Sequence, residues 1–181
     1  MNCRCIEALN REHKTILRIA DVLESMSKRA QTYSDHHKDD GEAILRVVRE
    51  FGDGFHQAKE ESVLFPIFTA VCDAPQQAAV RHMVFEHGQD RALMTGMADA
   101  IVRANAAQFA EYAQRLAGTL RNHIYKEDYI LFDVIANVLT SEDDGRITAE
   151  FEEFDRDFAQ DRGQLLDQLR QLEWKYLRKI T

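Results

Sequence analysis

His56 is followed four residues later by Glu60, and His123 four residues later by Glu127. On an α-helix, positions i and i+4 share a face, so each pair offers an imidazole and a carboxylate in one direction. Two isolated histidines, His13 and His87, complete a set of four imidazoles and two carboxylates. Such groups are costly in a protein core unless they coordinate something. Mixed nitrogen and oxygen donors suit iron, manganese or zinc rather than a thiolate-seeking metal. Two carboxylates can bridge two ions and leave two histidines for each. The set differs from the Glu-x-x-His arrangement of ferritin-like bundles, because no glutamate here has a histidine three residues later.

These six groups can meet only if the elements carrying them bring them to one height. In antiparallel neighbours, residues at one height are equidistant from the joint. The midpoint between His13 and the His56/Glu60 pair falls at about residue 36, between that pair and His87 at about 72 or 73, and between His87 and the His123/Glu127 pair at about 106. Helix breakers cluster at those places: Ser34 to Gly41, Asp73 to Pro75 and around Asn105, with another run at Ser141 to Gly145. With a rise of about 1.5 Å per residue, all six groups share one layer.

Apolar spacing between the breakers predicts helices over about 5–32, 41–71, 75–104, 106–139 and 147–178. Ile6, Leu9, Ile16, Ala20 and Leu23 form the stripe of the first, and Leu116, Leu120, Ile130, Leu131 and Val134 that of the fourth. Short joints make consecutive helices antiparallel, so four close an up-down bundle and the fifth is additional. Pro75 suits a first helical turn. Pro66 is expected to kink or loosen the second helix, and Gly52 and Gly54, just before His56, to permit close approach. The last helix carries Phe151, Phe154, Phe158, Leu165, Leu169, Leu172 and Tyr176 at three- and four-residue steps. Packing along the bundle is the favoured reading of that stripe, with a homodimer seam as the alternative.

An internal repeat supports the layer. His-Gln-Ala-Lys-Glu-Glu-Ser-Val-Leu-Phe from His56 aligns with His-Ile-Tyr-Lys-Glu-Asp-Tyr-Ile-Leu-Phe from His123, and Glu12-His13 with Glu86-His87. One helical hairpin is used twice, with a pseudo-twofold axis through the metal layer. His36 and His37 fall in an acidic joint and read as solvated. His82 reads as outward or supporting, and Tyr125 and Tyr129, which flank Glu127, as packing residues rather than donors to the centre.

Composition agrees with an all-α protein: two prolines and eight glycines in 181 residues, with Ala, Leu, Glu, Gln and Arg frequent. A formal net charge of −8 supplies no basic stripe for nucleic acid. Three cysteines, at 3, 5 and 72, make no disulfide framework, and Cys3-x-Cys5 is a weak redox or metal motif. No apolar run approaches membrane-spanning length, so a soluble, cytoplasmic protein is expected.

The order His, His-x-x-x-Glu, His, His-x-x-x-Glu, with Glu-Glu-Ser-Val-Leu-Phe-Pro from Glu60, resembles the hemerythrin-like (HHE cation-binding) family over about residues 5–139. The resemblance implies a single hemerythrin-like domain, an antiparallel four-helix bundle plus the C-terminal helix. It also implies two iron ions, bridged by Glu60 and Glu127 with an oxo or hydroxo bridge. One ion would be held by His13 and His56, the other by His87 and His123. The chain departs from oxygen-carrying hemerythrin, which has a second histidine four residues from the one on its third helix. Here Met83 and Arg91 flank His87 at that spacing, and His82 is rotated by about 140°. The departure weakens the case for reversible oxygen carriage. The expectation is a protein that binds, senses or reacts with O2, NO or peroxide, with iron-centre repair, iron donation or iron sensing as the alternative. Arg91, if directed inward, would stabilise anionic oxygen species. No dedicated substrate pocket is evident.

Overall fold

The structure, a computed structural model, describes residues 3–33 and 38–178. His36 and His37 lie outside the described residues. Along its continuous helical runs the described chain forms six helices and no strand: α1 (Arg4–Tyr33), α2 (38–71), α3 (Ala74–Val102), α4 (106–138), α5 (Ser141–Asp157) and α6 (Ala159–Tyr176). The first four pack as the expected antiparallel bundle. No helix among the described residues is long and apolar enough to cross a membrane.

Local chemistry explains most of the joints. Asp73 caps α3 in a reciprocal box with Gln76, and Pro75 occupies the first turn. The Asn105 side chain accepts from the Gln108 N–H to open α4. Ala104, with φ of 50°, is left-handed at the end of α3, a conformation common where a helix stops.

The C-terminal region differs from expectation in two ways. Ser141 to Gly145 is the first turn of α5 rather than a joint, because Thr140 and Asp143 form a second capping box. The expected single helix is also two, broken at Phe158. The break lets α5 pack on α1 and the Glu60–Leu64 turn, while α6 packs on α1 and the Lys38–Val47 stretch. Phe151, Leu165, Leu169, Leu172 and Tyr176 are buried against the chain's own bundle, the packing reading of that stripe.

Three stretches are π-helical, with widened i→i+5 turns: Val48–Gln57, Glu60–Leu64 and Glu127–Leu131. The Phe65 N–H bonds to the Glu60 carbonyl, and the Phe132 N–H bonds equivalently to that of Glu127. A widened turn does precede Pro66, as expected. The same turn occurs in α4 with Asp133 at the matching position, so proline is not its cause. Such bulges concentrate at functional sites, and both of these begin at a glutamate of the polar layer.

Two apolar clusters sandwich that layer. One runs from Ile16 and Leu23 through Phe51, Met97 and Leu116 to Leu169 and Tyr176. The other joins Cys5, Leu9, Val63, Phe68, Met83, Leu131, Ile147 and Phe151.

Candidate metal centre

His13, His56, Glu60, His87, His123 and Glu127 all converge in the bundle core and are buried. They form two overlapping groups. His13, His56, Glu60 and Glu127 make one; Glu60, His87, His123 and Glu127 make the other. In each group the donor atoms lie within 4.8 Å of one another. The histidine Nε2 atoms approach in pairs, His13 to His56 at 3.1 Å and His87 to His123 at 3.0 Å.

The two glutamates span these pairs. Glu60 turns Oε1 toward His56 Nε2 at 3.6 Å and Oε2 toward His87 Nε2 at 3.5 Å. Glu127 turns Oε2 toward His13 and Oε1 toward His123, both at 3.2 Å. Each carboxylate thus presents one oxygen to each pair, the disposition required to bridge two ions.

Every imidazole is oriented from behind. His13 Nδ1 donates to Asp128 at 2.6 Å, His56 Nδ1 to Glu12 at 2.9 Å, His87 Nδ1 to Glu61 at 2.7 Å and His123 Nδ1 to Glu86 at 3.0 Å. A carboxylate behind Nδ1 fixes the tautomer and leaves the Nε2 lone pair free for a cation. Phe132 stacks on His13 and Phe65 on His87, the two phenylalanines of the repeat. Sequence reasoning noticed the Glu-His dipeptides and the Glu61/Asp128 match without assigning them this role. The repeat was the signal that could have revealed it.

Physical chemistry tests the fit. All four oxygens of Glu60 and Glu127 are buried without a hydrogen-bond donor, a costly condition that a cation relieves. Without one, the layer is electrostatically divided. Burial and the charge of Glu127 push Glu60 well above the usual carboxylate range. Burial would raise Glu127 too, but the positive charge of neighbouring His123, with that of His13, holds it well below. Burial, with the charge of His123, lowers His87 to about 4. Outside the layer, the hydrogen bond from His123 and the contact with Lys126 lower Glu86 to about 2. Two carboxylates this close cannot both ionise without compensating positive charge. The donor set therefore fits a pair of cations.

The remaining sequence candidates lie elsewhere. Met83 belongs to the apolar cluster. Arg91 does not point inward; it bonds Asp53 at 2.6 Å and Glu61 at 2.7 Å, so it steadies the carboxylate behind His87. Tyr125 and Tyr129 are exposed and contact each other. His82 reaches Glu86 at 3.1 Å. Gly52 and Gly54 fall in the wide turn before His56, where a Cβ would meet only the chain's own Val48 and Arg49. Cys3 and Cys5 converge on Asp144, whose carboxylate accepts from the Cys5 N–H at 3.0 Å and ties α5 to the start of α1.

Buried Lys59 was also missed. It donates to Glu12 at 2.7 Å and to Asp155 of α5 at 2.8 Å. Its ammonium also lies 3.9 Å from the centroid of the Phe55 ring.

Compared with known families, residues 5–135 match the hemerythrin HHE cation binding domain. No curated protein and no solved structure matches the chain.

Proposed function

Because the chain belongs to the hemerythrin HHE cation-binding domain family, we propose that His13, His56, Glu60, His87, His123 and Glu127 hold two iron ions, at which the protein binds, senses or reacts with O2, NO or peroxide. One observation carries the reading: Glu60 and Glu127 each turn one oxygen to each histidine pair, and none of those oxygens has a hydrogen-bond donor. Two iron ions bound there would supply adjacent redox-active Lewis-acid positions for a small ligand.

The chain's own residues set the conditions for that chemistry. Asp128, Glu12, Glu61 and Glu86 hold the imidazoles in their ligating tautomer and raise their basicity. Phe65 stacks on His87 and Phe132 on His13, which holds one imidazole of each pair in place. Met83 and Arg91 supply no further ligand, which supports two histidines per ion and a coordination position left for an incoming ligand. That arrangement favours turnover or sensing over reversible oxygen carriage. The partly exposed Lys126–Glu86 pair behind His123 favours a second reading, in which iron enters or leaves from that side and the protein donates or senses iron.

Metal analysis after iron-replete expression tests the centre. The expected content is two irons per chain, and zinc or a single ion at full occupancy overturns it. His87→Ala should lose at least one iron while His82→Ala keeps both, because only His87 faces the layer. Successive exposure of the reduced protein to oxygen, nitric oxide and peroxide then separates the ligands. Repeated full recovery after oxygen removal, without added reductant, contradicts the reactive reading. Rapid iron loss to a chelator, slowed when the Lys126 side is blocked, would favour donation.

A further inference from the structure

Helix α5 lies in the groove between α1 and α2, where it buries Ile147 and Phe151 and sends Asp155 to Lys59. The repeat requires an equivalent groove between α3 and α4. Its spacing is 74 residues from His13 to His87 and 67 from His56 to His123. A cavity of about 270 Å³ is found there, lined by Ala79, Met83, Lys126, Ile130, Leu131 and Val134 among others. At the repeat spacing these six correspond to Cys5, Leu9, Lys59, Val63, Leu64 and Ile67, which lie on the side that α5 covers.

Occupancy distinguishes the two grooves. Val63 is 3 % exposed, whereas Ile130 is 57 % exposed. Cys5 is buried and Ala79 is exposed. Lys59 bonds two carboxylates, Glu12 and Asp155. Among the described residues Lys126 bonds only Glu86.

We propose that the α3–α4 groove docks an amphipathic helix of a partner protein. That helix presents an aliphatic residue, an aromatic residue four positions later and a carboxylate four positions after that. This is the pattern with which Ile147, Phe151 and Asp155 fill the equivalent groove, and residues at that spacing share one helical face. The aliphatic and aromatic side chains cover Ile130, Val134 and Met83, whose unbranched chain adapts to the fit. The carboxylate gives Lys126 the second partner that Asp155 gives Lys59. Asp144's bond to the Cys5 amide needs no analogue, since the Ala79 amide lies inside α3. The chain's own α5 is already buried in its own groove. A second copy set face to face would bring Lys126 against its twin and groove against groove.

The probe is a synthetic peptide of residues 141–157, added to the full-length iron-loaded protein and followed by fluorescence anisotropy. The expected result is saturable binding, weakened about tenfold or more by Ile130→Glu or Ala79→Glu in the protein and by Phe151→Ala in the peptide. Replacing Asp155 by Asn in the peptide should cost about threefold and remove most of the salt dependence. Ile130 and Ala79 are exposed, so unchanged circular dichroism establishes that the variants fold. Absence of saturable binding overturns the proposal. So does binding indifferent to both groove variants, which would mean exchange with the chain's own α5. Self-association abolished by Ile130→Glu also overturns it, because the groove would then be a contact between copies.

Discussion

Lys59 and Lys126 hold the same place in the two copies of the helical hairpin, yet their surroundings differ. Lys59 is wholly buried between Glu12 and Asp155, while the Lys126 side chain stays 30 % exposed beside Glu86. Inside the layer the halves match closely: two histidines, one spanning glutamate and carboxylates behind both imidazoles. Outside it they diverge, because α5 and α6 cover only the α1–α2 side. The repeat therefore specifies the histidine–glutamate layer, buried in both halves, and the appended helices specify which lysine beside it is sealed. A further difference lies one turn along the bundle. Asp90 accepts from Thr119 at 2.6 Å, at the positions where the first half has Ile16 and Gly52.

The strongest test of the comparison is the lysine pair. Lys59→Ala leaves Glu12 buried without its cation and should cost about 3–5 kcal/mol in urea unfolding. Lys126→Ala, at a partly exposed pair, should cost about 1 kcal/mol or less. Equal losses would show that α5 does not differentiate the halves.

The apolar contacts sharpen the same point. Phe151→Ala should destabilise by about 3 kcal/mol, since it empties the filled groove, whereas Ile130→Ala at the open one should stay within about 0.5 kcal/mol. A large loss at Ile130 would mean that the groove is occupied in solution.

The smallest effect concerns Asp90, whose carboxyl is pushed up to about 6, chiefly by burial. A raised carboxyl favours the native state fully below its unfolded value of 3.8, and that contribution is lost as pH rises through about 6. In metal-free protein, stability relative to Asp90→Asn should therefore fall by about 1–3 kcal/mol between about pH 4 and pH 7. A flat difference would show that Asp90 titrates like an exposed carboxylate. Ile16→Asn offers no such titration, which keeps the pH effect specific to the second half.

Sequence by itself determined the bundle and which six side chains meet in its buried polar layer. His-x-x-x-Glu spacing fixes a shared helical face, and the distances of four sites from three joints fix their height, both consequences of constant helical pitch. The caps at Asp73 and Asn105 are local as well. The Thr140–Asp143 cap was equally local but lay in an acidic, glycine-containing run that reads as a breaker.

Tertiary structure alone decided what depends on neighbouring helices. Glu12 precedes His13 in the chain yet orients His56, and Glu86 precedes His87 yet orients His123. Adjacent residues on a helix point about 100° apart, so a dipeptide cannot state which neighbour receives each side chain. The outward turn of Arg91 depends on Asp53 and Glu61 of α2, and the burial of Lys59 depends on a carboxylate 96 residues away. The break at Phe158 and the covering of only one groove follow from how the chain crosses the bundle after α4. Local periodicity carries no record of that path, because the same amphipathic stripe satisfies any apolar surface that lies within its reach.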